Sequence, residues 1–175
     1  MIRKNLRLHS VRTLRKLLKD RFTGVGKIAI LGIGSDLRSD DVSGMLAADV
    51  LKTCLKKKKR RIPVKIFFGG TAPENLTGEI KRFRPAQLVI IDTIDAGRKA
   101  GSIYLFKPEE ISGGASFSTH KMPAKILIDY LFNSCGCRAT VIGIQPKTVK
   151  FGESVSARVR AAAGKVADML VEAIY

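Results

Sequence analysis

The chain has 175 residues, 45% of them apolar and 27% charged, which suits one globular domain with a sizeable core and excludes a disordered chain. A formal net charge of +17 comes largely from the segment MIRKNLRLHSVRTLRKLLKDRF and the run Lys56 to Arg61, so its sign invites nucleic acid, an anionic membrane face or an acidic protein without choosing among them. No apolar run approaches the roughly 18 residues of a membrane span and no signal-peptide core stands near the start, so a cytoplasmic protein is expected.

In chain order, Leu6, Leu14, Leu17, Leu18 and Phe22 keep helical spacing among Lys and Arg, predicting a basic amphipathic helix within an extension over residues 1–26. A strand is predicted at Lys27 to Gly34. A helix follows from about Val42 to Leu55, with Met45, Leu46, Val50 and Leu51 as its apolar face, ended by the cationic run KKKKRR. Val64 to Phe68 reads as a second strand, ending at Gly69-Gly70. Leu88 to Asp92 is a continuous apolar strand suited to burial on both faces, with Asp92 closing it. Ser102 to Phe106, bracketed by Gly101 and Pro108, suits an edge strand. A helix from Pro123 to Phe132, a strand from Ala139 to Gln145 and a helix from near Ser154 to Tyr175 complete the chain. Alternating strands and helices predict a single three-layer, doubly wound α/β domain over residues 27–175 with a mainly parallel sheet. The three cysteines include Cys135 and Cys137 as C-x-C without a partnering Cys or His pair, and are expected to be reduced structural thiols.

Ligands of such sheets bind beyond the carboxyl ends of the strands, near the point where strand order reverses. Asp40 and Asp41 follow the first strand, Asp92 ends the third, and Asp95 lies three residues on. The loop Lys107 to Lys121 carries His120, the only histidine besides His9 in the basic extension. Carboxylates with one imidazole suit a borderline divalent cation such as nickel, zinc or manganese. Neighbouring Asp40 and Asp41 point in different directions, so one is available to coordinate while the other caps the following helix.

The segment GIGSDLRSDDVSG, Gly32 to Gly44, resembles the G-x-G-N-x-L-x-x-D-D-G-x-G signature of the hydrogenase maturation endopeptidases. GGTAPEN, VIIDTIDAG, THKMP and IGIQP follow in the family's order, and the set resembles the hydrogenase 3 branch and its archaeal relatives. Ser35 stands in place of the signature's Asn, Val42 in place of its next Gly, and Phe68 where relatives often carry an acid. The resemblance implies a nickel-dependent, aspartic-type endopeptidase that removes the C-terminal extension of a nickel–iron hydrogenase large-subunit precursor. It also implies that Asp41, Asp92 and His120 contact the metal and carry catalysis. That nickel is supplied by the precursor, so the free enzyme need not hold any.

Two other readings compete. A peptidyl-tRNA hydrolase-like enzyme shares the α/β alternation and basic surface, but expects a catalytic histidine soon after the first loop, where this chain has none. A nucleic-acid-binding domain is suggested by charge alone, and 6% aromatic residues without tryptophan offer little for base stacking. A dinucleotide site lacks its third glycine. Nucleic acid is therefore not expected as the partner.

Overall fold

The computed structural model describes residues 11–56, 62–106, 116–117 and 124–175. Five strands form the main sheet: β1 (Ile28–Ile33), β2 (Val64–Gly70), β3 (Gln87–Asp95), β4 (Ile103–Phe106) and β6 (Arg138–Ile144), in the order β2-β1-β3-β6-β4. β2, β1, β3 and β6 run parallel, and β4 closes one edge antiparallel to β6. Short β5 (Ser116–Phe117) pairs antiparallel with Ile94 and Asp95 at the end of β3. The chain leaves β1 toward β2 and then returns to β3 on β1's other side, so strand order reverses between β1 and β3.

Among the described residues, five α-helices cover the sheet. α1 (Val11–Phe22), α2 (Ser43–Lys56) and α5 (Ala157–Ile174) share one apolar cluster with Ile28, Ile30, Val89, Ile91, Ile142 and Ile144. α3 (Thr77–Phe83) and α4 (Ala124–Cys135) cover the other face, where Ile80, Leu127 and Leu131 meet Leu31, Leu88, Ile90 and Val141. This is the doubly wound, three-layer arrangement that the alternation predicts. In α1, Leu14, Leu18 and Phe22 are buried, Arg15 pairs with Glu172 of α5 at 3.2 Å, and Arg21 donates to Thr140 of β6 at 2.9 Å. The basic segment is thus packed on the domain through its apolar stripe. Residues 57–61 of the cationic run lie outside the described residues.

Three elements depart from the sequence-based expectation. α2 buries Gly44, Ala47, Ala48, Leu51 and Leu55, leaving Met45, Leu46 and Val50 half-buried on its flanks. Small residues line the contact because the helix lies almost on the strands: a Cβ on Gly44 would overlap the carbonyl oxygens of Ile33 and Ile91. β3 continues past Asp92 to Asp95, since β5 supplies a pairing partner for its last residues. Asp92 is therefore a strand residue opposite Gly143, not a strand-end turn. α5 begins at Ala157, and Ser156 in the N-cap position makes no side-chain cap, because its hydroxyl is committed elsewhere.

Candidate functional site

The site grows out of the turn that follows β1. Gly34 takes φ +143°, and a Cβ there would collide with the Asp41 carbonyl, so only glycine lets the chain fold back so closely. The Ser35 hydroxyl accepts the Leu37 N–H at 3.3 Å, a local turn bond of the kind an Asn side chain also makes. A single 3-10 turn, Ser39–Val42, then carries Asp40 and Asp41 into α2.

The two acids of this turn have different surroundings. Asp40 is fully buried, and its carboxylate accepts the N–H groups of Lys147, Thr148 and Ser156 at 2.8, 3.3 and 2.7 Å and the Ser156 hydroxyl at 3.0 Å. It anchors the loop after β6 and the start of α5. The capping role open to one acid of the pair falls to Asp40, but toward a helix more than 100 residues away rather than the helix that follows it.

Asp41 is 2% exposed, and its carbonyl, with that of Asp40, accepts the Thr93 hydroxyl at 3.2 and 3.0 Å. Thr93 has one proton to give, so the Ser43 hydroxyl, 2.7 Å away, donates to Thr93 in turn. Thr93 adjoins Asp92, which is 2% exposed and accepts the Thr93 N–H at 2.7 Å. The Asp41 backbone and the Asp92 side chain thus both bond Thr93 at the carboxyl rim, beside the reversal point between β1 and β3. Buried carboxylates are poorly solvated there and gain from a cation or a proton donor. His120, the third residue of the expected set, lies outside the described residues. Among the described residues no group of three or more His, Cys, Asp or Glu gathers around one point.

Asp95 has a structural part: its carboxylate accepts the Gly97 N–H at 2.9 Å and the Gln145 amide at 3.0 Å. The Gln145 carbonyl oxygen accepts the N–H groups of Ala96 and Arg98 at 2.8 and 3.2 Å, so this buried amide fixes the turn between β3 and β4. Ser43, Thr93 and Gln145 are the positioning residues that the sequence reading did not single out. Their signal was a polar side chain inside an otherwise apolar element, as in VIIDTID and IGIQ. The three cysteines are free, as expected of reduced thiols, and Cys137 is buried. None of the described helices is long and apolar enough to cross a membrane.

Comparison with known proteins bears on this geometry. Residues 47–173 match the family model HycI, hydrogenase maturation protease. The hydrogenase 3 maturation protease of Escherichia coli K12 is 34% identical over 122 residues, which cover 70% of this chain and 74% of that protein. The solved nickel–iron hydrogenase maturation protease HycI of Thermococcus kodakarensis KOD1 is 31% identical, with a TM-score of 0.79 over 90% of this chain and 98% of its own. The solution structure of the endopeptidase HycI of Escherichia coli is 32% identical, with a TM-score of 0.68 over 81% and 87%.

Proposed function

The chain belongs to the hydrogenase maturation protease family, and on that premise we propose that it removes the C-terminal extension of a nickel–iron hydrogenase large-subunit precursor once nickel has been inserted. The observation that carries this reading is that Asp41 and Asp92 are both buried and that the backbone of the one and the side chain of the other bond Thr93 near the reversal point of the sheet. An extended, uncharged substrate gives no reason to bury two carboxylates at this rim in a chain this basic. A cation arriving with the substrate does.

In this reading, nickel belongs to the precursor, and Asp41, Asp92 and His120 sense it. Carboxylate oxygens and an imidazole match nickel as a borderline cation. Phe117, three residues before His120 in sequence, pairs opposite Ile94 at the same end of β3, which favours the histidine as the third member. One carboxylate holds the metal, while the other orients a water toward the scissile carbonyl and takes its proton. His120 serves as a metal contact or as the proton donor to the leaving amine. A pair of carboxylates sharing one proton, as in pepsin-like enzymes, would leave the histidine without a part.

The test is the mass of a candidate large subunit, nickel-loaded and nickel-free, before and after incubation with this protein. Shortening of the nickel-loaded form alone is expected. Equal shortening of both forms would remove nickel sensing, and shortening of neither would remove the assignment of the client.

A further inference from the structure

Two large apolar side chains stand in solvent beside the acidic turn. Leu37, in the turn after β1, is 59% exposed, and Phe151, in the loop after β6, is 74% exposed. Their backbones are joined, since the Gly152 N–H donates to the Leu37 carbonyl at 2.9 Å. The loop that presents Phe151 is held on both sides. Asp40 binds the Lys147 and Thr148 N–H groups, its own N–H donates to the Thr148 carbonyl at 3.3 Å, and Ser39 donates its hydroxyl to Ser154 at 3.0 Å. Within the loop, the Lys150 N–H reaches the Thr148 hydroxyl at 3.3 Å.

An exposed phenylalanine on a slack loop needs no explanation. One fixed by several hydrogen bonds to the turn that carries Asp41 is preorganised, and little conformational freedom remains to be lost when a partner covers it. The fringe is mainly cationic: Lys147 and Lys150 are exposed and Arg38 is half-buried, against exposed Asp36 beside Leu37 and Glu153, which meets Lys150 at 4.0 Å. An apolar centre with a charged rim is the layout of a protein-docking surface.

We propose that Leu37 and Phe151, fringed by Arg38, Lys147 and Lys150, dock the folded body of the hydrogenase large-subunit precursor through an apolar patch bordered by carboxylates. The proposal rests on the peptidase reading above and adds the surface that recognises the client. A second copy of this chain suits the surface poorly, because it would set the same cations against one another. Nucleic acid would use the lysines but leave Leu37 without a partner. Because Asp40 bonds the docking loop from within the acidic turn, a client seated on Phe151 is registered against Asp41.

The experiment measures binding of nickel-loaded precursor to immobilised wild type, Leu37→Ser, Phe151→Ser, the double variant and Lys147→Glu/Lys150→Glu, with trimming followed separately by mass. Each apolar substitution is expected to raise Kd about 10-fold and the double variant about 100-fold, through faster dissociation. Melting temperatures should be unchanged, since both side chains lie in solvent. The charge reversal should slow association and flatten its salt dependence. Wild-type affinity in the double variant, with trimming intact, would overturn the docking surface and leave the peptidase reading standing. Binding that the apolar substitutions weaken, without any trimming by the wild type, would support the surface and remove the peptidase reading. Self-association of the wild type abolished by Phe151→Ser would give the surface to a second copy and overturn the proposal.

Discussion

Replacing Asp40 with alanine tests whether one buried carboxylate holds two loops of the rim together. The substitution strips four hydrogen bonds at 2.7 to 3.3 Å, three from backbone N–H groups and one from the Ser156 hydroxyl. An unpaired buried donor costs about 1–3 kcal/mol. Lys147 is exposed and Ser156 half-buried, so water can rescue part of the loss. Taking about 1 kcal/mol for each bond, at the lower end of that range, gives a total of about 4 kcal/mol. In a domain of this size about 1 kcal/mol moves the melting midpoint by 2–4 °C, so a fall of about 8–16 °C is expected by differential scanning calorimetry. Asp40→Asn keeps one acceptor but turns an amide N–H₂ toward N–H donors, and should fall about half as far. A midpoint for Asp40→Ala within about 3 °C of the wild type would show that the loops order themselves without the carboxylate.

The neighbouring acid should behave differently: assayed on nickel-loaded precursor at room temperature, Asp41→Asn is expected to slow trimming about 10- to 100-fold more than Asp40→Asn, and equal mild effects would contradict the division of labour. Thr93→Val removes the proton shared by the Asp40 and Asp41 carbonyls and leaves Ser43 unpaired, so its guanidinium unfolding free energy should drop by about 1–3 kcal/mol, with recovery in Thr93→Ser. The Cys137 thiol is pushed up to about 12, first by burial and then by the adjacent Cys135 thiol. It should therefore be the last of the three cysteines to be alkylated near neutral pH, as read by peptide mass. Folding binds its proton more tightly than the unfolded chain does. Its contribution to stability is thus complete below the ordinary thiol value and lost as pH rises toward 12, and a stability flat across that interval in chemical denaturation would refute the burial.

The fold was legible where each element carried one dominant period. IAIL, from Ile28, and LVIID are too apolar for a half-exposed strand, and both are buried in the sheet. Periodicity failed where packing chose small residues over large ones. In α2 the hydrophobic side chains Met45, Leu46 and Val50 marked a face, but the sheet lies against Gly44, Ala47 and Ala48, because only side chains this short allow the helix axis so near the strands. The end of β3 was unreadable for another reason: its last residues owe their strand state to β5, whose pairing is non-local. In the site, the acidic residues could be read from spacing and family likeness, whereas the work of Thr93, Ser43 and Gln145 depends on partners 47 to 53 residues away in sequence.

The adjacency of Asp40 and Asp41 follows from the geometry of a single 3-10 turn. Successive residues there are about 120° apart around the axis, so two neighbouring side chains cannot serve one target. The chain uses that divergence. Asp40 turns toward the backbone of the loop after β6 and is consumed by four hydrogen bonds, while the backbone carbonyls of both residues are locked onto Thr93 of β3. With one acid and both carbonyls committed to neighbouring elements, the backbone that carries the second side chain is held in place. A backbone held in this way is what the nickel contact proposed for Asp41 would require. The first aspartate anchors the turn, and the backbone of the second is held by it.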